Sequence, residues 1–358
     1  MVLTFVSFII VLGILVFIHE FGHYITAKKS DIMVSEFALG FGPKIISRQW
    51  GETVYSLRII PLGGFCNMVG EFPADETMPE SEQETYQEAK TAGRLFTQKA
   101  AWKRFAVIFM GPVMNFLLAL IIFILAFTVF GIPVQTEQGA ILGEIIPEQP
   151  AARAGLRPND KILAIDDQKV NSWSDMASII ASHPAEKITI SYQRNGQISQ
   201  LEVMTRADEE DGRGVIGVYP RLVREQISPF KAIKLGAYQT YYVFKMTILG
   251  FVQVFKDAST KDLGGPIMIA SIIGQAARTG LLNVMTWTAV ISINLGIINL
   301  LPFPALDGGR ILFIIIELLR GKPVDPKKES YVHMIGFAVL IVLMIFIVYQ
   351  DVMRSFFN

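Results

Sequence analysis

From Leu3 to about Ile25 the chain is apolar for long enough to cross a bilayer, yet His19, Glu20 and His23 stand inside that run. An ionisable side chain in a membrane helix costs on the order of 2–3 kcal/mol on insertion scales, so a cluster of them implies a partner or a ligand. On an α-helix, residues four apart share a face. His19 and His23 can therefore aim both imidazoles at one cation, with Glu20 rotated beside them. His19-Glu20-Phe21-Gly22-His23 is the H-E-x-x-H pattern, two zinc-binding histidines with a general base between them. A chance match is the bland alternative, and the cost of placing these groups in hydrocarbon weighs against it.

The 358 residues are 51% apolar and mean hydropathy is positive, as expected of an integral membrane protein with several spans and one small soluble domain. Lys plus Arg and Asp plus Glu both number 32, so no charge imbalance points to nucleic acid. The single cysteine, Cys66, excludes an intramolecular disulfide and a thiolate metal cluster, and reads as an ordinary free thiol. The N-terminus lacks the charged leader and small-residue cleavage site of a secretory signal, and is expected to stay as a span.

Four stretches reach span length, about 3–25, 105–131, 284–303 and 334–350. Lys28, Lys29, Lys44, Arg48, Lys99, Lys103 and Arg104 lie between the first two, and Arg310, Arg320, Lys322, Lys327 and Lys328 between the last two. Both loops are expected in the cytoplasm, with both termini outside and the metal motif toward the cytoplasm. The stretch Leu235–Phe255 is long enough to span but carries Gln239, Lys245 and Gln253. If it crossed, the next helix would end on the far side from His19, so it reads as an amphipathic helix lying at the outer membrane surface.

The expected architecture is an α-helical polytopic membrane protein with four transmembrane helices, a membrane-associated β-hairpin region and one inserted PDZ-like α+β domain. The divisions are 1–136 (first membrane half, with a cytoplasmic β region at 34–70), 137–206 (soluble insert), 207–283 (linker and surface helix) and 284–358 (second membrane half). Residues 34–47 and 53–65 flank Gln49-Trp50-Gly51-Glu52 as a hairpin would, ending in Pro61-Leu62-Gly63-Gly64-Phe65. That hairpin is either structural or an edge strand for an extended substrate. Glu71 to Glu88, acidic and proline-punctuated, reads as a mobile solvated loop.

In the insert, strands are expected at Ala140–Ile146, Lys161–Ile165 and Ile188–Gln193. A helix opens at Ser172 with Asp175 in a capping box, and Asn195-Gly196 marks a hairpin turn. Pro150 to Ile165 closely resembles the core of a PDZ domain, which implies a peptide groove near Ala140–Gly143. The alternative is a spacer that restricts access by size. Asp208 to Gly214 reads as the exit linker.

The third span ends in Asn299-Leu300-Leu301-Pro302-Phe303-Pro304-Ala305-Leu306-Asp307-Gly308-Gly309. Its prolines break the helix at membrane depth, which is tolerated where the freed backbone is packed or lines a cavity. A catalytic zinc takes three protein ligands and leaves one position open, so His19, His23 and Asp307 complete a set. Glu317 and Asp351 read as interfacial groups, and His333 as a cap on the fourth span. Asn299 either cross-links helices or stabilises an oxyanion.

Together, His19–His23, Pro61–Phe65, the PDZ-like insert and Asn299–Gly309 resemble the site-2 protease family of intramembrane zinc metalloproteases, in its bacterial RseP-type branch. The resemblance covers essentially the whole chain. It implies Zn2+ on His19, His23 and Asp307, Glu20 as catalytic base, Asn299 in transition-state or substrate contact, and substrate contacts at Gly63, Gly64, Pro302 and Pro304. It further implies a bacterial plasma-membrane enzyme that cuts a transmembrane protein already trimmed by another protease. That substrate is a regulator of the anti-sigma factor type or a signal-peptide remnant. The best-known members carry two PDZ domains, whereas this chain has room for one. A metal transporter would need a through-path and no base at position 20, and an inactive PDZ-bearing scaffold would have no use for Glu20.

Overall fold

The computed structural model describes every residue except 72–77, 136–138, 210, 258–263 and 358. It divides into two compact units, Met1–Thr128 with Ser228–Asn358, and Val129–Ile227. The chain opens with α1 (Val2–Lys29), β1 (Val34–Trp50), β2 (Thr53–Met68), α2 (Glu80–Thr91) and α3 (Ala101–Phe130). There follow β3 (Ile132–Gln135), β4 (Ala140–Ile145), α4 (Pro150–Ala154), β5 (Lys161–Ile165), β6 (Gln168–Lys169) and α5 (Trp173–Ala181). The insert continues with β7 (Lys187–Arg194), β8 (Gln197–Met204), β9 (Arg206–Ala207), β10 (Gly214–Val215), β11 (Val218–Pro220) and β12 (Leu222–Glu225). Last come α6 (Pro229–Asp257), α7 (Pro266–Thr279), α8 (Leu281–Leu300), α9 (Asp307–Arg320) and α10 (Pro326–Phe357).

Among the described residues, α1, α3, α8 and Lys327–Met353 of α10 are long and apolar enough to cross a membrane. The third of these stops at Leu300, not 303, with Leu301 already extended at ψ 138°. The residue before a proline is pushed out of helical geometry, and Pro302 follows it directly. As α1 advances from His19 to His23, its partners on α3 retreat from Asn115 to Val107, so the two helices are antiparallel. As α8 advances from Ser292 to Gly296 its partners on α3 retreat from Asn115 to Pro112, so α8 is also antiparallel to α3, and Ser292 Oγ donates to the Asn115 carbonyl, 2.7 Å away.

The long helix α6 differs from expectation. Its residues Ala232, Gly236, Val243, Thr247 and Phe251 fall at helical spacing on one face. Gly236 faces Ile124, where a Cβ would lie 2.7 Å from Ile124 Cγ1. The Phe244 ring meets Phe116 edge-on at 5.7 Å, and Thr247 Oγ1 donates to Asn294 Oδ1 at 2.9 Å. Partners on α3 run from 124 back to 116 as α6 advances, so α6 runs alongside α3 and α8. It does not lie free on a membrane surface. Lys245 and Gln253, which suggested a surface helix, sit on its exposed side.

The sequence reading also missed α7, whose 14 residues make a rod of about 21 Å, too short to span. Its Ile273 packs on Val11 and Leu15 of α1. Asp351, read as an interfacial group, is instead buried and accepts from the Gly265, Ile267 and Met268 N–H groups, capping the start of α7.

After α1 the chain forms a small sheet. Segment 46–50 pairs with 53–57, and 36–39 pairs with 54–57 on one side and 64–67 on the other. Residues 64–67 thus form an edge, and among the described residues their other side joins no strand. Beyond it, Glu80–Thr91 is a helix where a solvated loop was expected. Pro79 starts it, Glu80 and Glu82 suit its N-terminus and Lys90 its last turn. Ala89 and Tyr86 tie it to Met33, Val69 and Leu95. The remainder of the expected loop, 72–77, lies outside the described residues.

Unit 2 is built on the sheet order β11-β4-β5-β7-β8, with Leu142, Ile162, Ile165, Met176, Ile188 and Ile190 in its core. Ser172 and Asp175 form the expected capping box at α5. Two expectations need correction. Ala140–Gly143 lies on β4, which pairs with β5 on one edge and β11 on the other, so no edge remains there for a peptide. The open groove instead runs between α5 and residues 214–219, with Trp173, Met176 and Ile180 on one wall and Ile216 and Val218 on the other. Asp208–Gly214 is not an exit linker: β9 pairs with β10 around it, and the chain returns through β11 and then β12, which pairs with β3. The expected start of the insert, at 137, falls outside the described residues.

Candidate active site

His19 and His23 project from α1 on one face and are 8% and 6% exposed. His23 Nδ1–H donates to the Val107 carbonyl at 2.9 Å, which leaves the Nε2 lone pair free. The ring lies over Gly111, where any Cβ would come within 2.3 Å of Nε2. His19 meets Asn115 of α3, with Nδ2 3.1 Å from its Nδ1. Asn115 is fully buried, and its Oδ1 has no hydrogen-bond partner. Turned end for end, the amide would accept from Nδ1–H and free the His19 Nε2 lone pair as well.

Asp307 arrives from the far end of the chain at the first residue of α9. The turn Leu301–Leu306 brings it there, and α9 starts so tightly against that turn that a Cβ on Gly308 would meet the Leu301 carbonyl oxygen at 2.2 Å. Asp307 Oδ2 lies 3.1 Å from His19 Nε2 and 3.5 Å from His23 Nε2, and the two Nε2 atoms are 3.3 Å apart. A tetrahedral zinc with bonds of about 2.0–2.1 Å spaces its ligands by roughly 3.3 Å. The three atoms therefore fit three corners of such a centre and leave the fourth open.

Glu20 lies on the adjacent face of α1. The Cys66 N–H reaches its carboxylate, and Gly64 lies over its stem, where a Cβ would be 3.4 Å from Glu20 Cγ. Gly63, at φ +101°, makes the turn into the edge segment. Phe65, Cys66 and Asn67 of that segment, with His23 and Asp307, line a cavity of about 300 Å³. Burial pushes the Cys66 thiol up and keeps it protonated. Asn299 Nδ2 is 3.5 Å from His19 Nε2. Pro302 and Pro304 sit in the turn, and Pro304 packs against Gly336 of α10.

The sequence reading missed Asn115 and Gly111, although the span around them reads Gly111-Pro112-Val113-Met114-Asn115, a glycine, a proline and an amide in hydrocarbon. It also missed Arg310, one turn after Asp307, which lines the same cavity and pairs with Glu71. Of the rival ligands, Glu317 pairs with Arg104 and Asp351 caps α7. His333 does not cap α10: it lies inside that helix and accepts from the Ala305 N–H.

The model of Peptidase family M50 matches residues 7–343. Over 420 aligned residues the chain is 36% identical to a protein of Geobacillus kaustophilus named Zinc metalloprotease RasP, covering 99% of this chain and 98% of that one. It is 32% identical to the Regulator of sigma-W protease RasP of Bacillus subtilis, covering 99% of each. Among solved structures, the PDZ domain of an SdrC-like protein from Listeria monocytogenes is 21% identical over 25% of this chain and 93% of that one, with a TM-score of 0.22. With a family model spanning nearly its whole length and full-length relatives, of Geobacillus kaustophilus and Oceanobacillus iheyensis, named as zinc metalloproteases, the chain belongs to Peptidase family M50 and is a metalloprotease of the site-2 type.

Proposed function

We propose that this chain hydrolyses a peptide bond within the transmembrane segment of a membrane-bound regulator, of the anti-sigma factor type, or of a signal-peptide remnant, after another protease has removed its outer domain. The observation that carries the reading is the convergence of His19, His23 and Asp307 beside Glu20 and an unpaired strand edge. The Bacillus subtilis relative named for regulating sigma-W supports the substrate class. The bilayer is that of a bacterial cell. Lys28 and Lys29 in the last turn of α1, with Arg310 and Arg320 on α9, favour a site toward the cytoplasm and both termini outside.

In this reading His19, His23 and Asp307 hold zinc. Bound there, it would polarise the scissile carbonyl and lower the pKa of a water. A peptide bond in a membrane helix is buried and hydrogen-bonded, so the substrate must unwind locally before attack. Residues 64–67 offer the unwound strand backbone groups along an edge that joins no strand among the described residues, which replace part of the bonds it loses. Glu20 takes the proton of the attacking water and delivers it to the leaving nitrogen. The Asn299 amide, close to the His19 nitrogen, donates to the charge that develops on the carbonyl oxygen. Unit 2 acts as a filter that keeps untrimmed substrates away.

Cleavage of a transmembrane peptide by purified protein in liposomes tests this. Wild type should cut within the apolar segment, and Glu20→Gln should reduce the rate by at least about 10²-fold. Equal rates in the two proteins would refute the reading.

A further inference from the structure

We propose that His333 is a positioning residue for the reaction, its Nδ1 holding the backbone of the turn that aims Asp307 at the two histidines. The inference rests on the metal-site reading above and assigns a role to a span that supplies none of its ligands. Ala305, two residues before Asp307, has φ +76°, a left-handed conformation that non-glycine residues avoid unless their surroundings impose it. Neighbouring bonds of the turn are internal, Phe303 N–H to Leu301 O at 2.6 Å and Leu306 N–H to Phe303 O at 3.1 Å. The Ala305 N–H instead leaves the turn and meets His333 Nδ1 at 2.9 Å.

His333 is 8% exposed, and its ring is stacked obliquely 5.5 Å from Phe313 of α9, which limits its freedom to turn away. Three residues on, Gly336 lies on the same face of α10. A Cβ there would come within 2.4 Å of Pro304 Cβ and 2.6 Å of its carbonyl oxygen. Two consecutive residues of the turn, Pro304 and Ala305, are thus held by one face of one helix. An acceptor is required at this position, because the group to be held is an N–H. With Nδ1 accepting, the ring carries its proton on Nε2, which faces Glu329 Oε1 at 3.9 Å. If the bond were lost, Ala305 could relax toward a commoner conformation and Asp307 would swing from its place beside the Nε2 atoms.

The test uses the full chain in lipid nanodiscs with His333→Ala, His333→Asn and His333→Gln. An asparagine oxygen occupies nearly the place of Nδ1, whereas the glutamine amide reaches further out, toward that of Nε2. Zinc affinity by chelator competition should fall roughly 10- to 100-fold in His333→Ala, and kcat should fall while KM changes little. His333→Asn should recover most of both losses and His333→Gln little. In metal-free wild type, the ¹⁵N resonance of His333 Nδ1 should be that of an unprotonated, hydrogen-bonded nitrogen. Wild-type zinc affinity in His333→Ala would overturn the proposal, as would equal losses of affinity and thermal stability in all three variants. A wild type that shows the Nδ1 signature but binds no zinc would instead overturn the metal-site reading, and the proposal with it.

Discussion

Asn115 is the side chain that, among those described, hydrogen-bonds the His19 ring nitrogen facing away from Asp307, and with its amide turned so that Oδ1 accepts it would present His19 as a ligand. An outer partner of this kind fixes the tautomer and raises the basicity of a ligating histidine. Asn115→Ala should therefore keep the protein folded but weaken zinc binding roughly 10- to 100-fold, measured by chelator competition. Unchanged affinity would remove Asn115 from the centre. His19, Glu20 and His23 were legible as a unit because their spacing is local and their cost in hydrocarbon is high. Asn115 was not, since a single amide in a span is cheap enough to read as packing. Its meaning comes only from a helix 96 positions away in the chain.

At the scale of elements, four apolar helices follow from run length, and Asp307 from prolines that had to be packed. The length and polar residues of α6 set its character, but its address depends on which face finds a partner. That face is Gly236, Val243, Thr247 and Phe251, and nothing local distinguishes docking on α3 and α8 from lying on lipid. The docked arrangement makes Gly236→Leu an overpacking change against Ile124, expected to destabilise by about 1–3 kcal/mol. Lys245→Ala on the exposed side should stay within about 0.5 kcal/mol. Thermal unfolding in one detergent compares them, and equal tolerance of both would mean that α6 is not docked. The groove of unit 2 was misplaced for a related reason. Ala140–Gly143 reads as an edge only until the chain comes back: β11 covers β4 after a detour of more than 70 residues.

At the scale of the whole molecule, β3 and β12 pair from Ile132↔Glu225 to Gln135↔Leu222, so unit 2 enters and leaves through one ribbon. Replacing 136–221 with a short turn keeps that ribbon and should leave cleavage of a trimmed substrate intact. If unit 2 filters by size, the same protein should also cut the untrimmed substrate early. Loss of cleavage of the trimmed substrate would point instead to delivery through the groove between α5 and residues 214–219. The central claim is that the two ends of the chain build one centre, α1 giving two ligands and a base and α9 giving the third ligand. Zinc content of purified wild type, His23→Ala, Asp307→Ala and Glu20→Gln, after dialysis against a mild chelator, tests it most directly. The account predicts one zinc per chain in wild type and Glu20→Gln, and loss of most of it in His23→Ala and Asp307→Ala. Full occupancy in Asp307→Ala would contradict it.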